Sequence, residues 1–196
     1  YTLEETFRST MPIKFTAPTA NQTFKITSEP GWPSVVFTTD KPATDAHTWE
    51  WSIAWKTFSK KGKETTTSNS WDAKTVITDL GGELTVKVTS GKDTATIKVK
   101  ILGDQTEKAK VVTYVGTLAN ASGFEKLLEH ESKMKHFTDL GEPKKSFDNG
   151  YGICQLTTPT PTYDQIWNWK KNIDAGVGLY QQKQRAAIGH LTQNKR

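Results

Sequence analysis

Apolar and polar residues alternate through much of the first hundred positions. Trp49, Trp51, Ile53 and Trp55 stand against Glu50, Ser52 and Ala54. Leu84, Val86 and Val88 stand in the same way against Thr85, Lys87 and Thr89, and Ile97, Val99 and Ile101 against Lys98 and Lys100. A period of two puts one set of side chains on a single buried face of a strand. The last two runs are joined by Ser90-Gly91-Lys92-Asp93, so they predict a hairpin. Thr23 to Thr27 and Val35 to Thr39 are further strand candidates, separated by the breaker-rich Glu29-Pro30-Gly31-Trp32-Pro33. Short strands at this spacing predict an antiparallel β-sandwich. The tryptophans at strand spacing read as core, with a sugar-stacking platform as the alternative. Lys60-Lys61-Gly62-Lys63, with Thr65 to Ser70 after it, reads as a solvated hairpin tip.

The period changes after Asp104. Thr106 and Glu107 have the form of a helix start, and Phe124, Leu127, Leu128 and Glu131 fall at i, i+3, i+4 and i+7, one stripe of a helix. Thr162 with Gln165 three residues on predicts a capping box. Ile173, Val177 and Tyr180 form another stripe, with Gly176 and Gly178 allowing close approach, and Trp167 and Trp169 read as core. These shifts predict an α+β chain of two domains, a β-sandwich over residues 1–104 and a helical domain over 105–196. In texture the first half resembles the immunoglobulin-like modules that precede catalytic domains in bacterial surface proteins.

Glu131 changes the picture because it breaks its own stripe. Glu125 and Glu129 rotate to the polar side, whereas Glu131 projects from the apolar one. Such a carboxyl group is either held protonated by desolvation or paired with a cation such as Lys135. Held protonated, it is a general acid. Downstream, Gly150 and Gly152 flank Tyr151 and permit close backbone approach, and Gln155 offers a donor and an acceptor.

Composition narrows the partners. With 26 Lys and Arg against 21 Asp and Glu, the formal charge is +5, and the excess is shared by both halves. A balance this mild gives weak attraction to any polyanion, and no reading helix or zinc-finger spacing accompanies it, so no nucleic-acid partner is expected. No apolar run approaches membrane-spanning length, so no membrane insertion is expected. The single Cys154 excludes an intramolecular disulfide. It reads as a small buried hydrophobe, with a thiol nucleophile served by His130 or His136 as the alternative. The four histidines, His47, His130, His136 and His190, show no metal-ligand spacing, and no metal or cofactor is expected. A start at Tyr1 rather than Met reads as a processed or excised piece of a longer protein.

Glu131-Ser132, followed by Asn149-Gly150-Tyr151-Gly152-Ile153-Cys154-Gln155-Leu156, resembles the paired motifs of the lysozyme superfamily, nearest to goose-type lysozymes and soluble lytic transglycosylases. Asn172-Ile173-Asp174-Ala175-Gly176 is similar to the stretch that opens their next long helix. The run from Asp148 to Thr157, with Trp167 to Asn172 after it, also resembles the muramidase modules of bacterial type VI secretion effectors. The resemblance implies an all-α lysozyme-like second domain that, lacking the Ala-Tyr-Asn-Gly motif that closes the cleft in relatives, is either a variant without it or a domain truncated before it. It implies Glu131 as catalytic acid and Ser132 as supporting hydroxyl, with Gly150, Tyr151, Gly152 and Gln155 lining a saccharide groove. A second acid is less defined. Thr157 stands where relatives carry one, and loop acids lie instead at Asp139, Glu142 and Asp148, of which Asp148 and Asp139 are the expected candidates. The substrate so implied is peptidoglycan, met in the periplasm or cell wall after secretion. A secretion carrier would account for the absence of a signal peptide, and an immunity protein would be a second partner. A lytic transglycosylase and a non-catalytic wall-binding module are the alternatives.

Overall fold

The computed structural model describes residues 11–193, with side chains in the last helix as far as His190. The chain forms two compact units. Among the described residues, one holds 11–26 together with Trp32–Leu102, and the other holds Thr27–Gly31 and 103–193.

The first unit is built from two sheets. Strands β1 (Phe15–Ala17), β3 (Val36–Thr39) and β6 (Ser70–Asp72) make the smaller, in the order β1-β3-β6. Strands β2 (Thr23–Ile26), β4 (His47–Trp55), β5 (Phe58–Thr66), β7 (Gly82–Ser90) and β8 (Asp93–Gly103) make the larger, in the order β2-β8-β7-β4-β5. The alternation in β4 is strict: Trp49, Trp51, Ile53 and Trp55 are buried, and Glu50, Ser52 and Ala54 are exposed. The two sheets meet through aromatic rings. Trp49 of β4 stacks on Trp71 of β6 with centroids 5.9 Å apart, and Trp71 stacks on Phe37 of β3 at 5.8 Å.

β7 and β8 pair antiparallel from Gly82↔Ile101 to Ser90↔Asp93. Gly91 takes φ +58° at the first central position of their turn, the place where a two-residue hairpin favours glycine. Lys60 to Lys63 is not a hairpin tip. It lies within the nine-residue edge strand β5, which pairs with β4. Opposite Trp51 stands Gly62, and a Cβ there would come within 2.5 Å of the indole, so the ring lies across the bare glycine. Lysines along a free sheet edge discourage pairing with other chains.

The second unit overturns the expectation of an all-α lysozyme-like domain. Over the described residues the protein is dominated by its two sheets and eight strands, and its helices are few, with one long helix at the C-terminal end. These helices are α1 (Lys108–Gly116), α2 (Phe124–Ser132), the one-turn α3 (Tyr163–Trp167) and α4 (Trp169–Gln193). Between α2 and α3, residues 133–162 contain no helix and are organised by isolated bridges at Phe137↔Pro143, Lys145↔Tyr151 and Tyr151↔Leu156. The cause is local. Lys133, Met134, Gly141, Asn149, Gly152 and Gln155 all take positive φ, which a right-handed helix does not admit.

Val111, Val115, Phe124, Leu128, Met134, Ile153, Trp169, Ile173 and Val177 form the core of this unit. Trp167 and Trp169 are buried, and the indole of Trp169 donates to Ser28 O at 2.8 Å. Glu29 receives Lys170 Nζ at 2.8 Å and Lys110 Nζ at 3.4 Å, so the turn Thr27–Gly31 is tied to α1 and α4. The capping box at Thr162 and Gln165 is present. Gly176 lies against Cys154, but Gly178 is exposed with open space around it and serves no packing contact. Among the described residues no helix is long and apolar enough to cross a membrane.

Candidate functional site

Helix α2 ends in a double left-handed turn. Lys133 and Met134 take φ +57° and +56°, Lys133 N–H bonds Glu129 O at 3.1 Å, and Met134 N–H bonds Leu128 O at 3.2 Å. The longer of these loops, with buried Leu128 and Met134 at its two ends, is the pattern that satisfies the last carbonyls of a helix. It fixes the position of Glu131 in the helix's final turn.

Glu131 opens onto a cleft of about 470 Å³. Phe124, Leu127 and Leu128 line it from the same helical stripe, Gly176, Tyr180 and Lys183 line it from α4, and Ser146, Asp148, Gln155 and Thr157 line it from the loops. The glutamate side chain is 41% exposed, and its carboxylate lies 3.8 Å from His130 Nδ1, an ion pair only when that imidazole is protonated. The cleft thus surrounds the carboxyl group with apolar surface on its helix side while water reaches its head.

Asp148 faces the same cleft from the loop. Ser146 Oγ donates to its carboxylate, and this bond, ahead of weaker contributions from backbone bonds and Lys145, holds the carboxyl below the usual aspartate range. Asp148 therefore stays ionised wherever an ordinary carboxylate does. Gln155 lines the cleft as well, with its Nε2 donating to Gly152 O at 2.6 Å.

The other expected site residues face elsewhere. Ser132 is buried, and its hydroxyl donates to Leu128 O at 3.1 Å within its own helix. Asp139 is exposed in the turn that Gly141 N–H closes on Thr138 O, away from the residues that line the cleft. Tyr151 is buried, with Lys145 Nζ 5.6 Å above its ring. Gly150 donates its N–H to Ser146 Oγ at 2.8 Å. Gly152 has φ +72°, and a Cβ there would meet Asn172 Nδ2 at 2.6 Å and His136 Cε1 at 2.7 Å. Glycine is required for packing against those two side chains.

Asn172, which carries no site expectation, and His136, expected only as an alternative base for Cys154, hold this loop from inside. His136 Nε2 lies 2.8 Å from Ile166 O, and Ile153 N–H points to His136 Nδ1 at 3.1 Å. A carbonyl only accepts and an N–H only donates, so the ring is neutral with its proton on Nε2. Complete burial pushes its pKa down to about 3. Asn172 is also fully buried: its Oδ1 accepts Cys154 N–H at 2.9 Å, and its Nδ2 donates to Tyr151 O and Gln165 O at 3.2 and 3.1 Å. Four backbone groups of the motif and its helix partner are met in this way, together with the Ile166 carbonyl.

Cys154 is not arranged as a nucleophile. Burial, reinforced by Asp174 and Glu131, raises its thiol pKa, so the thiolate is suppressed. Both ring nitrogens of His136 are occupied, and no base is left there for it. The signal that could have revealed the latch is Asn172 itself, an amide in the apolar register of α4 beside buried Ile173.

No protein-family model matches the chain, and a search of curated proteins likewise finds no match.

Proposed function

We propose that the protein cuts the glycan strand of peptidoglycan at the β-1,4 bond between N-acetylmuramic acid and N-acetylglucosamine. The observation that carries this reading is that Glu131, at the end of an apolar helical stripe, and Asp148, held ionised by Ser146, line one open cleft. Two carboxyl groups facing a common groove are the equipment of glycosidic cleavage. The motif resemblance around Glu131-Ser132 and Asn149 to Leu156 supports the same chemistry and supplies the substrate.

In this reaction Glu131 protonates the departing glycosidic oxygen, positive charge develops at the anomeric carbon, and Asp148 takes a proton from the water that attacks it. Separation of the carboxyl groups sets the stereochemistry: about 6.5–9.5 Å leaves room for water and inverts, and about 5–5.5 Å retains through a covalent intermediate. Delivery as a secreted antibacterial effector, with a carrier and an immunity protein as partners, belongs to the same proposal.

A second reading is favoured by the partial exposure of Glu131 and by the inward orientation of Ser132 and Tyr151: the cleft grips the wall without cutting it. Digestion of purified peptidoglycan, followed by mass spectrometry of the soluble products, separates the readings. Muropeptides with reducing muramic ends support the hydrolase, and 1,6-anhydro ends replace it with a transglycosylase that needs no water-activating acid. Pelleting with the wall and no soluble product supports the binding module.

A further inference from the structure

Phe147 is 99% exposed, and among the described residues it is the only aromatic side chain left open to solvent in this way. Its two chain neighbours, Ser146 and Asp148, both line the cleft, so the turn that carries Phe147 borders it.

The turn that carries it is cross-bonded. Ser146 N–H donates to Gly150 O at 2.9 Å, and Gly150 N–H returns a bond to Ser146 Oγ at 2.8 Å. Asn149 N–H reaches Ser146 O at 3.2 Å, and Lys145 Nζ donates to Asn149 Oδ1 at 2.6 Å. A turn tied at so many points has little conformational freedom left to lose when a ligand settles on it. An apolar ring held in water on a rigid support gains by being covered. Leu127, 40% exposed, adds apolar surface to the helix side of the same cleft.

A pyranose fits this arrangement. One face of the sugar ring presents C–H groups that pack against an aromatic face, while hydroxyl groups around its edge seek acceptors and donors. Asp148, one residue away, and Gln155, on the same cleft, supply those partners. We propose that Phe147 is a sugar-stacking residue that holds one pyranose of the glycan strand at the edge of the cleft. The proposal rests on the reading of the cleft as a glycan-cleaving site and names a residue that binds its substrate.

The test compares Glu131→Gln with Glu131→Gln/Phe147→Ala, Glu131→Gln/Phe147→Leu and Glu131→Gln/Phe147→Trp. Binding to the N-acetylglucosamine tetramer is measured by calorimetry, and retention on purified peptidoglycan by pelleting. With Glu131 restored, KM and kcat are measured on the same wall. Because the side chain is fully exposed, the four proteins should share one thermal midpoint.

Alanine is expected to weaken binding roughly three- to tenfold. Leucine should restore little of it and tryptophan all of it, and the kinetic loss should fall mainly on KM. If the parent binds and alanine binds equally well, the stacking proposal is overturned while the glycan reading stands. If leucine restores binding fully, a nonspecific apolar contact replaces stacking. If the ring instead holds two copies of the chain together, alanine will dissolve a dimer in sedimentation without changing sugar affinity, and the proposal is again overturned. If the Glu131→Gln parent does not bind and the unmodified protein does not cut, the glycan reading fails and the proposal falls with it.

Discussion

His136 and Asn172 grip consecutive backbone amides: His136 Nδ1 accepts Ile153 N–H at 3.1 Å, and Asn172 Oδ1 accepts Cys154 N–H at 2.9 Å. Both side chains are wholly buried, and between them they hold the loop that carries Gln155 to the cleft. In a setting without water, a polar group that loses its partner costs much more than a polar pair contributes. The latch is therefore the part of the second unit most sensitive to substitution.

Asn172→Leu keeps roughly the volume of the side chain and removes every one of its bonds. Cys154 N–H and Gln165 O then lose this partner, while Tyr151 O keeps the N–H of Leu156 at 3.1 Å, and at about 1–3 kcal/mol per orphaned group, relieved in part by relaxation, the loss is about 2–5 kcal/mol. Urea unfolding followed by circular dichroism reads it directly. A loss under about 0.5 kcal/mol would contradict the latch.

His136 predicts a pH dependence of known sign. Its pKa is about 3 in the folded protein against an ordinary 6.5. Above pH 6.5 the imidazole is neutral in both folded and unfolded chains, and the group adds no slope. As pH falls below 6.5 the unfolded chain takes up a proton that the folded chain refuses, so stability declines by about 1.4 kcal/mol per pH unit until the folded value is approached. His136→Gln, whose amide does not titrate, should lack this slope. Urea midpoints of both proteins at pH 7.5 and pH 5 give the comparison, and parallel curves would show that His136 is not buried neutral.

Glu131→Gln preserves shape and removes the acid. The side chain is partly exposed and makes no bond to the latch, so unfolding free energy should shift by less than about 0.5 kcal/mol. Release of soluble wall fragments should fall by roughly a hundredfold or more. A folded variant that retains most of its activity would remove Glu131 from the chemistry.

Asp148→Asn distinguishes hydrolysis from the single-acid route. If Asp148 activates water, turnover falls by roughly a hundredfold or more in the variant. In the unmodified protein the acidic limb of the rate profile should then lie below the ordinary aspartate range, because Ser146 holds the carboxyl down. Unchanged turnover in the variant, measured with anhydro-product analysis, would assign the reaction to Glu131 alone.

Much of the first unit could be read from the chain. Trp49, Trp51, Ile53 and Trp55 announce β4 because a strand places alternate side chains on opposite faces, and only one face of that sheet is covered. The Phe124-Leu127-Leu128-Glu131 stripe announces α2 for the equivalent reason at a period of 3.6, and it placed Glu131 on the apolar side, where the cleft lies. Lys60 to Lys63 misled as a tip because polarity marks both turns and exposed edge strands. The turn at Glu29 read only as a breaker, since the chain around it does not reveal the lysines of α1 and α4 that bind it.

The sequence by itself determined β4, the β7–β8 hairpin and α2 and which of their faces are buried, because those properties depend on near neighbours along the chain. Tertiary structure alone decided that residues 133–162 form no helix, that Ser132, Gly150, Tyr151 and Gly152 turn inward, and that Asp148 rather than Asp139 joins Glu131 at the cleft. Those outcomes depend on backbone groups far apart in the chain. A buried histidine or asparagine looks like a surface residue until the amides and carbonyls that satisfy it are brought together, and only then does its burial become favourable.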